Sequence, residues 1–127
     1  MTADKAVVEA YAKAWLGGNA AEIIAFYHDD FTLHYFGQSQ MAGDHVGKAA
    51  SVVALAKVQQ MVNRKLLAIE DVMGGKEYVS MISKEQWQRD GKTLQLRRLL
   101  LFKTKDGKLH ECWLYDEDQR VVDELWS

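Results

Sequence analysis

Residues 64–115 read RKLLAIEDVMGGKEYVSMISKEQWQRDGKTLQLRRLLLFKTKDGKLHECWLY, and this stretch decides the fold. Three turn dipeptides, Gly74-Gly75, Asp90-Gly91 and Asp106-Gly107, recur in it at roughly even spacing. Asp-Gly and Gly-Gly supply residues that tolerate positive φ, as the tightest hairpin turns require. The dipeptides delimit four β-like segments, 64–73, 77–89, 92–104 and 108–115, which together predict an antiparallel meander. A strand of about twelve residues spans roughly 40 Å, well past the usual five or six residues. Strands of that length must coil and twist.

Upstream, the apolar period changes to that of a helix. Val7, Val8, Tyr11, Ala14 and Trp15 form one face, and Gly17-Gly18 ends it. Asn19 with Glu22 three residues on is a capping-box start, and Ile23, Ile24, Phe26 and Tyr27 give a short second helix its apolar face. His28-Asp29-Asp30 breaks that helix, the aromatic-rich run Phe31 to Phe36 predicts a strand, and Gly37 to Gly47 predicts a loop. Lys48 to Val62, with Val52, Leu55, Ala56 and Val58, fits a third helix. The expected fold is α+β: three N-terminal helices packed on a long, strongly curved antiparallel sheet, a cone-shaped barrel with a closed end and an open mouth.

Composition narrows the function classes. A chain of 127 residues with 48% apolar and 27% charged residues fits one soluble domain over 1–127. A net charge of −2 lacks the basic excess of a nucleic-acid binder. No apolar run approaches the roughly 18 residues of a membrane span, and the N-terminus enters a helical pattern without a signal-peptide stretch. A cytoplasmic protein with no nucleic-acid and no membrane partner is the expectation. The single cysteine, Cys112, excludes an intrachain disulfide. The histidines His28, His34, His45 and His110 show no close metal-ligand spacing, so no metal and no cofactor is expected. There is no glycine-rich phosphate loop and no Gly-x-Ser-x-Gly elbow.

Several ordered patterns cover nearly the whole chain. Asn19 after the double glycine leads to Tyr27-His-Asp-Asp30 and then a strand. His34-Tyr-Phe-Gly37 is followed by Met41-Ala-Gly43 and Gly47-Lys48. Near the end come Asp106-Gly-Lys108, Glu111-Cys-Trp113, Asp118-Gln119 and Asp123-Glu-Leu-Trp126. In this order the set resembles the SnoaL-like polyketide cyclases of the nuclear transport factor 2-like superfamily. Two family prolines around the first glycine are replaced by Phe36 and Gln40. The resemblance implies the cone fold. Its bearing on function is weaker, because the superfamily holds isomerases, dehydratases, hydrolases, cyclases and binding proteins.

Ketosteroid isomerases of this superfamily need a carboxylate base, a tyrosine donor and a protonated aspartic acid. Aligned on the double glycine, these roles fall on Tyr35 or His34, on Tyr11, and on Arg98 or Leu99, so two of the three are lost. Limonene epoxide hydrolase pairs arginine with two aspartates, whereas Arg97-Arg98 has no matching aspartate. SnoaL-like cyclases place an aspartate near the mouth with an assisting histidine, which would map onto Asp116-Glu-Asp118 and His34. His34 and Asp118 are therefore the candidate catalytic pair, an imidazole needing little tuning to act near neutral pH. The alternative is that His34 bonds Trp113 or Asp118 and locks the first strand to the last.

Tyr11, Trp15, Tyr35, Met61, Trp87 and Trp113 are the candidate ligand-contacting residues, with a mouth near 37–47. Tyr11 reads equally as a core aromatic. Arg98 shares parity with Leu94, Leu96, Leu100 and Phe102. Strict alternation turns it into the cavity to bind a carboxylate or carbonyl, while a bulge would turn it out to solvent. The expected partner is a small apolar organic ligand, handled by cofactor-independent acid–base chemistry of isomerase, cyclase or dehydratase type, or merely bound. A homodimer through the exposed sheet face is also expected, since Leu99 and Leu101 lie opposite the inward leucines.

Overall fold

The computed structural model describes residues 2–127. α1 (Thr2–Gly17) and α2 (Ala20–Ile24) lead into β1 (Tyr27–Tyr35), β2 (Gly43–Val46) and α3 (Lys48–Met61). The meander follows as β3 (Asn63–Gly74), β4 (Val79–Arg89), β5 (Lys92–Lys105) and β6 (Lys108–Asp116), and α4 (Gln119–Leu125) closes the order. One six-stranded sheet runs β2-β1-β6-β5-β4-β3.

The two Asp-Gly turns form as expected. Asp90 and Gly91, and Asp106 and Gly107, all take positive φ and join their strands through two residues, the geometry that matches strand twist. Asn19 caps α2 by accepting from the Glu22 N–H at 3.1 Å. Curvature enters through irregularities. The β3–β4 register shifts between Leu66 and Ala68 and again between Ile69 and Asp71, and the β5–β6 register shifts between Lys103 and Thr104. Each shift bends a strand locally.

Four expectations need correction. The sheet is not wholly antiparallel, because β1 runs parallel to β6. The chain leaves β1, builds α3 and the meander on one side, and returns alongside β1 in the same direction. The strand expected at 31–36 starts at Tyr27, so His28-Asp29-Asp30 is strand rather than a helix breaker. The expected loop 37–47 contains β2, an edge strand held by antiparallel pairing of Thr32–Tyr35 with Gly43–Val46. A fourth helix lies at the C-terminus: Asp118 caps it by accepting from the Val121 N–H, and Val122, Leu125 and Trp126 are buried beneath it.

α1 and α3 lie on the concave face, α1 chiefly along β3 and α3 along β1. Val8, Tyr11 and Ala12 of α1 and Ala54 and Val58 of α3 meet Leu33, Met81, Leu100, Phe102, Cys112 and Leu114 of the sheet. Alternation governs β4, where Val79, Met81, Ser83, Glu85 and Trp87 all face inward and are buried. Two of those inward positions are polar, which is where the core stops being ordinary.

Candidate functional site

Between the helices and the concave face lies a cavity of about 290 Å³. Tyr11 and Trp15 of α1, Phe31, Leu33 and Tyr35 of β1, and Leu100 and Phe102 of β5 form its apolar walls. Ala20 on α2 and Ala56 and Gln59 on α3 line it and are also exposed, so the mouth opens between α2 and α3. None of residues 37–47 lines the cavity, which corrects the expected mouth.

A buried charged network stands behind the apolar walls. Arg98 faces inward, 1% exposed, and the β4–β5 register passes it without a bulge. Its Nε donates to Asp116 Oδ1 at 2.6 Å and its Nη2 to Asp116 Oδ2 at 3.3 Å. Its Nη1 is 3.9 Å from Glu85 Oε2. The guanidinium lies 5.1 Å from the Trp87 ring centre and 5.4 Å from that of Trp126. Burial disfavours the Arg98 charge, but Asp116, then Glu85 and Tyr35, outweigh it and hold the guanidinium protonated. Glu85 is fully buried, forms an ion pair with Arg64 Nε at 2.9 Å, and accepts from Ser83 Oγ at 2.9 Å and Trp87 Nε1 at 3.0 Å. Burial pushes its carboxyl up, yet Arg64, Arg98 and the two neutral donors together bring it below its ordinary value. Two carboxylates against two guanidiniums keep this network neutral.

The polar groups of the cavity lining are mainly hydroxyls and guanidiniums. Tyr11 and Tyr27 share a hydrogen bond of 2.7 Å between their hydroxyls. Burial raises both phenol pKa values, and it pushes Tyr35 up to about 12 even though Arg98 and Arg64 pull the other way. All three are neutral hydroxyls at physiological pH. Tyr35 Oη and Arg98 Nη1 are buried without a hydrogen-bond partner. Both belong to residues that line the cavity, and buried polar groups are nearly always paired. Burial raises the Cys112 thiol as well, so it lines the wall as an inert group. Among the described lining residues there is no carboxylate and no imidazole, hence no ligand set for a metal inside the cavity.

Four of the sequence candidates, Tyr11, Trp15, Tyr35 and Arg98, come together on this wall. The others do not. His34 follows the inward Leu33 and precedes the inward Tyr35, so alternation puts it on the convex face. There its ring stacks on Trp113 at 4.9 Å, Nδ1 meets Asp44 Oδ1 at 2.7 Å, and Nε2 meets Glu111 Oε2 at 3.1 Å. Asp118 is engaged as the α4 cap and does not bond His34. Trp113 shares the convex face. Trp87 points inward but is fully covered, stacked at 5.2 Å on Trp126 of the unexpected helix. Met61 packs at the end of α3 outside the cavity.

Sequence reasoning missed Glu85, Arg64 and Tyr27. Glu85 was legible by the same parity as Arg98, because it alternates with Met81 and Trp87 along β4. Arg64 carried no such signal, since it stands at the junction of α3 with β3.

A sequence model of the SnoaL-like domain matches residues 8–112. Among solved structures, a Xanthomonas campestris protein of unknown function with a cystatin-like fold is 26% identical, with 95% of each chain covered and a TM-score of 0.88. TerC, co-crystallised with polyporic acid, is 18% identical over 94% of each chain, with a TM-score of 0.79. A protein of Xanthomonas campestris pv. campestris, provisionally named a polyketide cyclase, is 18% identical over 96% of this chain and 95% of its own, with a TM-score of 0.72. A search of curated protein sequences finds no match. The cone, its inward-facing alternation and a match over most of its length place the chain in the SnoaL-like family.

Proposed function

We propose that the chain takes a small, mostly apolar organic molecule into the cavity and seats one of its oxygens against Tyr35 Oη and Arg98 Nη1. The two buried orphan donors carry this reading, because a ketone, enolate or phenolate oxygen would satisfy both. Polyketide-, terpenoid- or steroid-like ketones fit the apolar walls. The use of TerC as a host for polyporic acid, and the cyclase name of a fold relative, support that ligand class.

The chemistry is cofactor-independent and acid-sided. Neutral tyrosines and protonated arginines donate hydrogen bonds to developing negative charge, whereas the described lining holds no group that is a base at neutral pH. Such a site suits substrates acidic enough to pass an α-proton to water, with Tyr35 and Arg98 stabilising the enolate oxygen; the proton then returns at another carbon in isomerisation, to the new alkoxide in ring closure, or to the departing hydroxyl in dehydration. The missing base equally favours a second reading, a non-catalytic carrier of the same ligands. Calorimetric titration with a cyclic ketone and its matched hydrocarbon tests the common part: the ketone should bind about tenfold more tightly, one net hydrogen bond's worth. Equal affinity would leave the donors without a role. Turnover of the bound ketone then separates enzyme from carrier.

A homodimer through the convex face completes the proposal, in the cytoplasm. Leu99, Leu101 and Trp113 are half-buried there without a covering element, and Tyr115 is 44% exposed. Acidic Asp44 and Glu111 lie toward the β2 edge while basic Lys84 and Lys103 lie on β4 and β5, so an antiparallel two-fold arrangement opposes unlike charges. Light scattering should give twice the 14.5 kDa chain mass. No helix among the described residues is long and apolar enough to cross a membrane.

A further inference from the structure

Outside the cavity, where β1 and β6 begin side by side, the fold collects metal-ligating side chains that are far apart in sequence. Tyr27 pairs with Leu109, which makes His28 and His110 neighbours across the parallel strands. Their rings meet edge-on at 5.3 Å. Asp30 stands two residues beyond His28, within the segment where the β1–β6 register slips. One ligand atom from each of His28, Asp30 and His110 lies within 4.8 Å of the other two.

The hydrogen bonding leaves this trio open. His110 has no hydrogen-bond partner among the described residues. His28 Nδ1 accepts the Asp30 N–H at 3.0 Å and lies 3.9 Å from Asp30 Oδ2. With Nδ1 an acceptor, Nε2 carries the proton and donates to Asp106 Oδ2 at 3.4 Å. A carboxylate holding the far nitrogen of an imidazole fixes its tautomer and strengthens the near nitrogen as a ligand. Lys108, close in sequence, is drawn away to the Ala25 carbonyl at 2.9 Å.

We propose that His28 Nδ1, Asp30 and His110 form a surface site for a borderline divalent cation of the Zn²⁺ class, with Asp106 orienting His28. Two imidazoles and one carboxylate suit such ions, while Mg²⁺ and Ca²⁺ take oxygen ligands. Tetrahedral ligands stand about 3.3 Å apart around Zn²⁺, so the side chains close in by rotation, and the cation replaces the Asp30 N–H on Nδ1. Asp30 is largely exposed, which leaves the ion free access. Bound there, it ties the start of β1 to β6. The site is independent of the cavity and of its ligand.

Zn²⁺ and Mg²⁺ titrations of the metal-stripped full chain by calorimetry test it, with Co²⁺ absorption reporting coordination. One equivalent of Zn²⁺ should bind and raise the melting temperature, Co²⁺ should give a tetrahedral spectrum, and Mg²⁺ should not bind. Asp30→Asn and His110→Ala should each weaken Zn²⁺ at least tenfold, whereas His45→Ala, at a half-buried histidine on β2, should not. Asp30→Asn alters only an exposed carboxylate, so it keeps the test valid if His110→Ala fails to fold. Absence of saturable Zn²⁺ binding, binding unaffected by Asp30→Asn, or equal binding of Mg²⁺ would overturn the proposal.

Discussion

Arg97 and Arg98 are neighbours on β5, and the sheet sends them to opposite sides. Arg98 lies fully buried on the concave face, clamped by Asp116 and near Glu85. Arg97 lies on the convex face, 54% exposed, with Glu70 at 3.6 Å and Glu117 at 3.5 Å. The same contrast divides Tyr35, orphaned and buried, from His34, paired and near the surface. On the convex side, charge meets charge at the water boundary and contributes modestly. On the concave side each charge depends on its partner, and two of the residues with an unpaired polar atom, Tyr35 and Arg98, line the cavity. The His34 imidazole is on the outer face, and the groups suited to holding an oxygen are on the inner one.

The largest difference between the faces should appear on removing one charge from each. Arg98→Met leaves Asp116 buried without its cation and Glu85 with Arg64 alone, and breaking such a buried pair typically costs about 3–5 kcal/mol. Arg97→Met breaks solvent-screened pairs and should cost less than about 1 kcal/mol. Urea denaturation of both variants measures this, and similar losses would erase the distinction.

An effect of intermediate size should appear on titration. The folded state holds the Tyr35 phenol at about 12 against an ordinary value near 10. A raised pKa gives stability that is complete below the unfolded value and is lost as pH rises through the folded one. Ionisation of Tyr35 in the unfolded chain should therefore remove about 2–3 kcal/mol of stability as pH rises from 10 to 12. Tyr11, Tyr27 and Cys112 add to it, burial pushing each the same way. Glu85, held below its ordinary value, works in the opposite direction: its contribution is present above the carboxylate range and fades as pH falls through the lowered value. Denaturation across pH should show a steep alkaline loss, and Tyr35→Phe should make it shallower.

Smaller effects belong to the convex face and its borders. His34→Ala removes the stack on Trp113 and the bonds to Asp44 and Glu111, at about 1 kcal/mol. Asp118→Ala removes the α4 cap, again at about 1 kcal/mol. Neither should change ligand affinity. A melting temperature that stays constant while affinity falls would return these two residues to the site.

The meander was legible because Asp90-Gly91 and Asp106-Gly107 admit one tight turn each and the strands between them alternate cleanly. Arg98 was legible as one of two orientations, and an unbroken β4–β5 register made the choice. β1 was harder, because aromatics occupy both parities at Tyr35 and Phe36, which left His34 open between a cavity role and a lock on the last strand; the stack on Trp113 matches the second. β2 has no pattern of its own and exists through pairing with β1. α4 is short, but its cap and the spacing of Val122, Leu125 and Trp126 were readable, and Trp87 would then have been recognised as covered. Parallel pairing of β1 with β6 is a tertiary fact, invisible to local periodicity, and it also assembles His28 with His110.

The central claim is that Tyr35 Oη is held unpaired in order to meet a ligand oxygen, and Tyr35→Phe tests it most directly. An unsatisfied buried hydroxyl stabilises nothing in the free protein, so the variant should unfold at the same or a higher denaturant concentration at neutral pH. Its affinity for a cyclic ketone should fall about tenfold, while its affinity for the matched hydrocarbon stays constant. Loss of stability with undiminished ketone affinity would contradict the account, because the hydroxyl would then serve the fold and not the cavity.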